Sequence, residues 1–380
     1  MESAGSMSPK GRAEVAFLFL GEMLLVPHLW PIVDALARAN PELRIDLWIS
    51  TSAHEGLIGG WLGAAHANVR LRRAPGFAQL PPCDQGMNPV LPPKLRMLAR
   101  LAPLLWRTRV TVCAEQTSLW LPRVVPGLSR FIFTAHGAGA PNYNRDGRLR
   151  CAHRLFFPTR LHMAEHLAHG IAPDRVVATG YAKSSFPPSL VASDVFRSER
   201  PILLYAPHWQ RYRSSWWDWG RQIVAMLADQ DRFNVILAPH QRLFERDHDA
   251  AAVLGAFAGL DHVHVDTGSF AMVDGSYTRM ADLYIGDSSS QIVEFATRPR
   301  TAVLLNSPGM SWKTPEECGY WGCGETVTDL GALAGALERA PGLHAGYAAH
   351  QERLACEELG DTSDAAPRRA AAEIVAALRR

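Results

Sequence analysis

Residues 282–306 read DLYIGDSSSQIVEFATRPRTAVLLN, and the fold turns on how this stretch is read. The apolar run 283–285 predicts a short strand, 287–290 a tight polar turn, 291–297 a helix and 301–305 a second strand. Apolar runs this short, bounded by turn residues, suit a parallel sheet covered on both faces. The turn places Asp287 and three consecutive serines, Ser288, Ser289 and Ser290, at a helix start. Unpaired backbone N–H groups and the helix dipole favour negative charge there, so the turn suits phosphate oxygens. Asp287 and one serine would equally serve as a plain helix cap, which is the competing reading. Glu294 lies two turns along the helix, where a carboxylate accepts ribose hydroxyls or stands in solvent.

Upstream of this stretch, strand-like and helix-like segments alternate. Residues 15–20, 45–49, 69–71, 110–114, 131–134, 155–157 and 176–179 read as strands of a first unit. A helical pattern runs through Leu29, Ile32, Val33 and Leu36, and 94–109 and 160–169 are also helical. The Pro-rich 76–93 reads as a loop over one end of the sheet. A second series follows, with strands at 202–205, 234–237 and 262–265 and a helix at 219–228. Two βα series predict two doubly wound α/β domains with a cleft between them. The expected division is a disordered tail 1–12, an acceptor-binding domain 13–185, a linker 186–200, a donor-binding domain 201–364, and a helix 365–380 packing back on the first domain.

Composition sets outer limits. With 380 residues and 47% hydrophobic content, the chain can build two cores. A formal net charge of +2 gives no argument for nucleic acid. Six cysteines without a CxxC pair point to a reduced, cytoplasmic chain. No apolar run approaches the roughly 20 residues of a membrane span, and the N-terminal sequence has no apolar signal core.

Ligands of doubly wound sheets bind where strands end, which directs attention to four loops. His136-Gly137 follows the strand 131–134; an imidazole there is a natural general base or a structural hydrogen-bonder. Residues 206–211, APHWQR, hold Pro207, His208 and Arg211. Residues 238–242, APHQR, hold His240 and Arg242, both suited to donate to phosphate oxygens. Residues 179–183, TGYAK, bring Gly180, Tyr181 and Lys183 to the domain join.

Taken in order, these residues resemble the CDP-glycerol glycerophosphotransferase family, the teichoic-acid polymerase type of GT-B enzyme. That family carries HG after a strand, a TGYP-like turn, a YAPTW-like strand end, a K-x-HP loop and a D-Y-S-S turn followed by an acidic residue. Here they read His136-Gly137, Thr179-Gly180-Tyr181, Tyr205-Ala206-Pro207-His208-Trp209, His240, and Asp287-Ser288-Ser289-Ser290 with Glu294, spread over about residues 131–306. The resemblance implies a GT-B fold and transfer of glycerol phosphate from a CDP-linked donor to a hydroxyl acceptor in cell-surface polymer synthesis. It implies His136 as the base and no cofactor or metal beyond the donor itself. His240, Ser288, Ser289, Ser290, Arg211 and Arg242 would meet the diphosphate. Glu294, Pro207 and His208 would meet the nucleoside, and Gly137, Gly180, Tyr181, Lys183 and Asp287 would complete the cleft.

The departures bear on the donor. His208 stands where the family has Thr, Gln241 where a proline is expected, and Ser288 replaces the aromatic; residues 138–144 lack Pro-Leu-Lys. The Asp-Ser-Ser-Ser-Gln turn with Glu294 is also similar to the Asp-Ser-Gly-Gly turn of non-hydrolysing UDP-N-acetylglucosamine 2-epimerases. A UDP-linked sugar donor is therefore the rival, and a binding module without chemistry a third reading that His136 argues against.

Three further features complete the reading. His162-Met163-Ala164-Glu165-His166, with His169 on the same helical face, fits the zinc pattern H-x-x-E-H, against which stands a solvent-facing histidine stripe. Cys318 and Cys323 are too widely spaced for a zinc knuckle and read as free thiols. Residues 94–109, KLRMLARLAPLLWRTR, form a basic amphipathic helix suited to an anionic membrane surface and a lipid-linked acceptor. Trp209, Trp216, Trp217 and Trp219 are expected at the cleft mouth, facing the acceptor or sealing the domain interface.

Overall fold

A computed structural model describes residues 13–81, 84–88, 90–138, 147–311 and 316–379. The expected tail 1–12 and most of the loop after His136 lie outside the described residues, as do the side chains of Glu165 and Cys318.

Seven parallel strands form the first sheet: β1 (Val15–Phe19), β2 (Ile45–Thr51), β3 (Val69–Ala78), β4 (Val110–Cys113), β5 (Arg130–Thr134), β6 (Arg154–Phe157) and β7 (Val176–Ala178), in the order β3-β2-β1-β4-β5-β6-β7. The second sheet holds β8 (Ile202–Ala206), β9 (Asn234–Leu237), β10 (Val263–Val265), β11 (Leu283–Gly286), β12 (Thr301–Leu305) and β13 (Glu325–Val327), in the order β10-β9-β8-β11-β12-β13. Every residue of β1, β2, β8 and β11 is buried, which explains why their sequences read as continuous apolar runs. The strand order reverses between β1 and β4 and again between β8 and β11. Those reversals open a crevice at the carboxyl ends of both sheets, and the two crevices face each other. β13, Glu-Thr-Val, is the strand that the sequence reading missed; it is short and half polar and is recruited by β12. β3 runs on to Ala78, into the segment expected to be a loop.

A core on one face of the first sheet runs continuously into the second domain. At their junction Trp61 packs on Phe186 at 5.1 Å and on Phe270 at 5.6 Å between ring centroids, joining first domain, linker and second domain. The opposite face of the first sheet is covered by the helix Lys94–Leu105, which buries Met97, Leu98, Leu101 and Leu105. Leu95, expected on that stripe, points outward instead.

The tryptophans sit differently from the expectation. Trp216 is fully buried in the core behind the second sheet and its indole N–H donates to Asp247 Oδ2 at 2.7 Å; Trp217 and Trp219 pack on the same core. Only Trp209 of the four stands beside the cleft, stacked on His208 with centroids 5.8 Å apart. The helix Ala365–Arg379 packs on the helix Val26–Ala39 of the first domain. Arg109 and Arg130 donate to the carbonyls of Leu378 and Ala377, satisfying groups that a helix end leaves open.

The zinc pattern does not assemble. His162 Nε2 pairs with Glu358 at 2.8 Å, and His166 Nδ1 donates to the His162 carbonyl at 2.9 Å. Both histidines are buried rather than solvent-facing, and no group of three or more His, Cys, Asp or Glu among the described residues is placed to hold a metal.

Candidate functional site

The turn after β11 divides its labour. Asp287 is fully buried and accepts the backbone N–H groups of His208 at 2.6 Å and Ser215 at 2.9 Å. It is a strut tying the loop after β8 to the turn after β11, not a group open to ligand. Burial pushes its pKa up to about 7, against the hydrogen bonds that favour its charged form. The capping reading describes Ser289, whose hydroxyl accepts the Gln291 N–H at 3.3 Å. Ser288 is held through its carbonyl by Arg213, at 3.1 and 2.5 Å. Ser290 is the serine that reaches the cavity.

That cavity, about 100 Å³, lies between the domains and collects His28 and Gly137 from the first, Lys183 from the join, and His240, Ser290 and Glu294 from the second. The loop after β9 is set by the loop after β8, because the Pro207 carbonyl accepts the His240 N–H at 3.0 Å. His240 Nδ1 accepts the Arg242 N–H at 3.2 Å, so the neutral ring carries its proton on Nε2. Burial, then the Arg242 and Lys183 charges, lower its pKa to about 3. His208 is alike: Nδ1 accepts the Gln210 N–H at 3.1 Å, and burial, His240 and Arg213 lower its pKa to about 3. Both rings are neutral N–H donors at neutral pH.

Glu294 is engaged by the domain join. Tyr181 OH donates to Oε1 at 2.6 Å, and Lys183 Nζ donates to Oε1 at 2.8 Å and Oε2 at 3.0 Å. The turn that presents these groups depends on Gly180, at φ +87°; a Cβ there would lie 2.5 Å from the Asp361 carbonyl. His136 keeps an edge open to solvent. Crowding by protein lowers its pKa, a hydrogen bond with the Ala114 backbone opposes the shift, and the Arg242 charge adds to it.

Two predicted anion ligands are placed elsewhere. Arg242 forms an ion pair with Glu22 across the domains and lies 5.3 Å over the Trp209 ring. Arg211 is exposed and stacks on Trp217 at 5.7 Å, outside the cavity.

Solved structures share this architecture. TagF, the wall teichoic acid polymerase, in a structure soaked with CDPG, superposes with TM-score 0.64 at 12% identity, covering 96% of this chain and 88% of that one. A UDP-N-acetylglucosamine 2-epimerase gives TM-score 0.57 at 14% identity, covering 96% and 95%. Anabaena HepE in complex with UDP gives 0.52 at 12%, covering 96% and 99%. The fold is GT-B. The sequence matches no family model and no curated protein.

The GT-B cleft also holds residues that sequence reasoning passed over. His28 is buried in an apolar helix, its ring 6.1 Å from His136 and 5.4 Å from Tyr181, and burial with Lys183 and His136 lowers its pKa well below the usual value. Its one signal was a histidine inside LVPHLWP. Gln241 donates to Asn88 at 2.9 Å, while its buried Oε1 has no partner. Tyr277 lines the cavity, and its hydroxyl donates to Asp266 at 2.5 Å.

The strut has a pH signature. Because the Asp287 pKa is raised on folding, the native state holds an extra proton between about pH 4 and pH 7, and the stabilisation from that proton fades as pH rises through this window. The stability advantage of wild type over Asp287→Asn is expected to shrink from pH 5 to pH 8 in urea titrations. An advantage that grows with pH would mean that the carboxylate stays charged.

Proposed function

We propose that this GT-B chain is a transferase that takes a nucleotide-diphosphate-linked donor and passes its group to a hydroxyl acceptor, with glycerol phosphate from CDP-glycerol as the favoured group. The supporting observation is one small cavity at the domain join where neutral donors and a lysine come from loops at the ends of both sheets, lined also by Gly137, the residue after the candidate base. His136, neutral at pH 7, removes the acceptor proton as the hydroxyl attacks the β-phosphorus and CMP leaves. Charge grows on the departing phosphate, and His240 Nε2–H, the Ser290 hydroxyl and Lys183 stabilise it most in the transition state. With a UDP-linked sugar the same groups serve, but attack falls on the anomeric carbon and a diphosphate leaves. Fold likeness to both the polymerase and the epimerase keeps that second reading alive.

Calorimetry with CDP-glycerol, CMP, a UDP-sugar and GDP tests the donor. Ser290→Ala is expected to weaken the best nucleotide by about 1–3 kcal/mol, the scale of a hydrogen bond to a charged group. Ser289→Ala is expected instead to cost about 1 kcal/mol of stability through the lost cap. Equal nucleotide affinity in wild type and Ser290→Ala removes the phosphate role.

We also propose that the acceptor is met at an anionic membrane surface. The outer side of the helix Lys94–Leu105 and the residues just beyond it expose Leu95 (62%), Leu104 (49%) and Trp106 (64%) beside exposed Arg96, Arg100 and Arg107. Among the described residues no helix is long and apolar enough to cross a membrane. Arg100→Glu with Arg107→Glu is expected to abolish co-sedimentation with phosphatidylglycerol vesicles; wild type that stays in the supernatant at low salt would refute this docking.

A further inference from the structure

The crevice between β1 and β4 belongs to the first sheet, and the site described above leaves it unused. Three segments converge there: the turn after β1 with Gly21, the end of β2 at Ser50 with the helix that follows it at His54, and the turn after β4 with Glu115 and Ser118. Side chains alternate along each strand, so Ser50 and Glu115 continue the face of Ala16 and Leu18, the side covered by the helix Lys94–Leu105. Lys94, the first residue of that helix, reaches back and pairs with Glu115 Oε2. The Glu115 carboxylate lies flat against Gly21, where a Cβ would come within 2.4 Å of its Cδ. His54 is buried beside Thr51, its Nδ1 hydrogen-bonded with the Thr51 hydroxyl at 2.8 Å.

Three oxygen atoms of this cluster are buried and have no hydrogen-bond partner: Glu115 Oε1, Ser50 Oγ and Ser118 Oγ. Buried polar groups in native proteins are nearly always paired, and an unpaired one is destabilising. Nothing in the fold calls for them, since alanine would fill either serine position without a polar atom to satisfy. A ligand rich in hydroxyls would satisfy all three. This cluster also adjoins the candidate base. His136 hydrogen-bonds to the backbone of Ala114, the residue before Glu115, and Glu22, next to Gly21, pairs with Arg242 of the second domain.

We propose that this crevice is the acceptor subsite, which takes a polyol or sugar-ring terminus bearing an anionic group. Its hydroxyls donate to Glu115 Oε1 and exchange hydrogen bonds with Ser50 and Ser118, while Lys94, the outermost polar group, pairs with the anion. Glu115 is a positioning residue here: it orients the hydroxyl that His136 deprotonates. The assignment rests on the transferase reading for its role as acceptor site, but the binding itself is separately measurable.

Saturation-transfer NMR on the full chain, with glycerol 3-phosphate and N-acetylglucosamine as probes, tests it alongside calorimetry with CDP and UDP. Wild type is expected to bind at least one probe. The double variant Ser50→Ala with Ser118→Ala is expected to bind it at least tenfold more weakly, with a melting temperature equal to or above wild type and nucleotide affinity unchanged. Gly21→Ala, which displaces the Glu115 carboxylate without altering its charge, should weaken the probe similarly. Probe binding unchanged in the double serine variant, or no binding of either probe to wild type, overturns the subsite. If neither nucleotide binds yet probe binding depends on the serines, the subsite stands and the donor reading fails.

Discussion

Replacing Lys183 with methionine is expected to destabilise the folded chain by about 3–5 kcal/mol, the scale for removing one partner of a buried ion pair. Lys183 and Glu294 are both largely shielded from water, and Lys183 supplies two of the three hydrogen bonds that Glu294 receives. Without it the carboxylate keeps only the Tyr181 hydroxyl and bears a charge in a place that cannot solvate it. Urea unfolding of Lys183→Met, of Glu294→Gln and of the double variant separates the contributions. The double is expected to recover much of the loss, because the stranded charge is then gone. A Lys183→Met protein within about 0.5 kcal/mol of wild type, the range of ordinary surface changes, would mean that water reaches Glu294 freely.

His136→Ala is expected to lower kcat by on the order of 10²–10⁴, the usual contribution of general-base catalysis, with nucleotide affinity little changed. The lowered pKa of His136 in the free protein places the acid limb of the kcat/KM profile below about 6.5, with a plateau at neutral pH. His208 cannot take over, since its Nδ1 is occupied and its pKa sits near 3. His28 lies ring to ring 6.1 Å from His136, but its buried ring is likewise a weak base, so the His28→Ala/His136→Ala pair is expected to be no slower than His136→Ala alone. Wild-type turnover by His136→Ala would move the base elsewhere.

Both predictions concern residues legible in the sequence, and the reasons are physical. Parallel strands buried on both faces write themselves as short apolar runs, so twelve of the thirteen strands were visible and only polar, edge-bound β13 was not. Loops after such strands are where ligands gather, so His136, His240, Ser290 and Lys183 could be nominated from position alone, and Glu294 from its place on the helix that follows the serine turn. Side-chain partners were not legible. Nothing near Arg242 foretells Glu22, 220 residues away. Nor does the turn reveal that Asp287 would be drawn inward by two backbone N–H groups of another loop. The tryptophan run was misplaced because the helix begins at Trp216, which turns that indole into the core. Ser50 and Ser118 gave no signal at all; a hydroxyl stands out only when the space around it is known.

The helix Ala365–Arg379, pinned to the first domain by Arg109 and Arg130, has a consequence for how the chain matures. A ribosome delivers all seven strands of the first sheet before the second sheet begins, yet the apolar flank of the helix Val26–Ala39 stays uncovered until residues 365–379 emerge. Synthesis at about 5–20 residues per second leaves that flank bare for on the order of ten seconds or more, the interval in which chaperones and aggregation compete. The domain translated first is thus the one completed last.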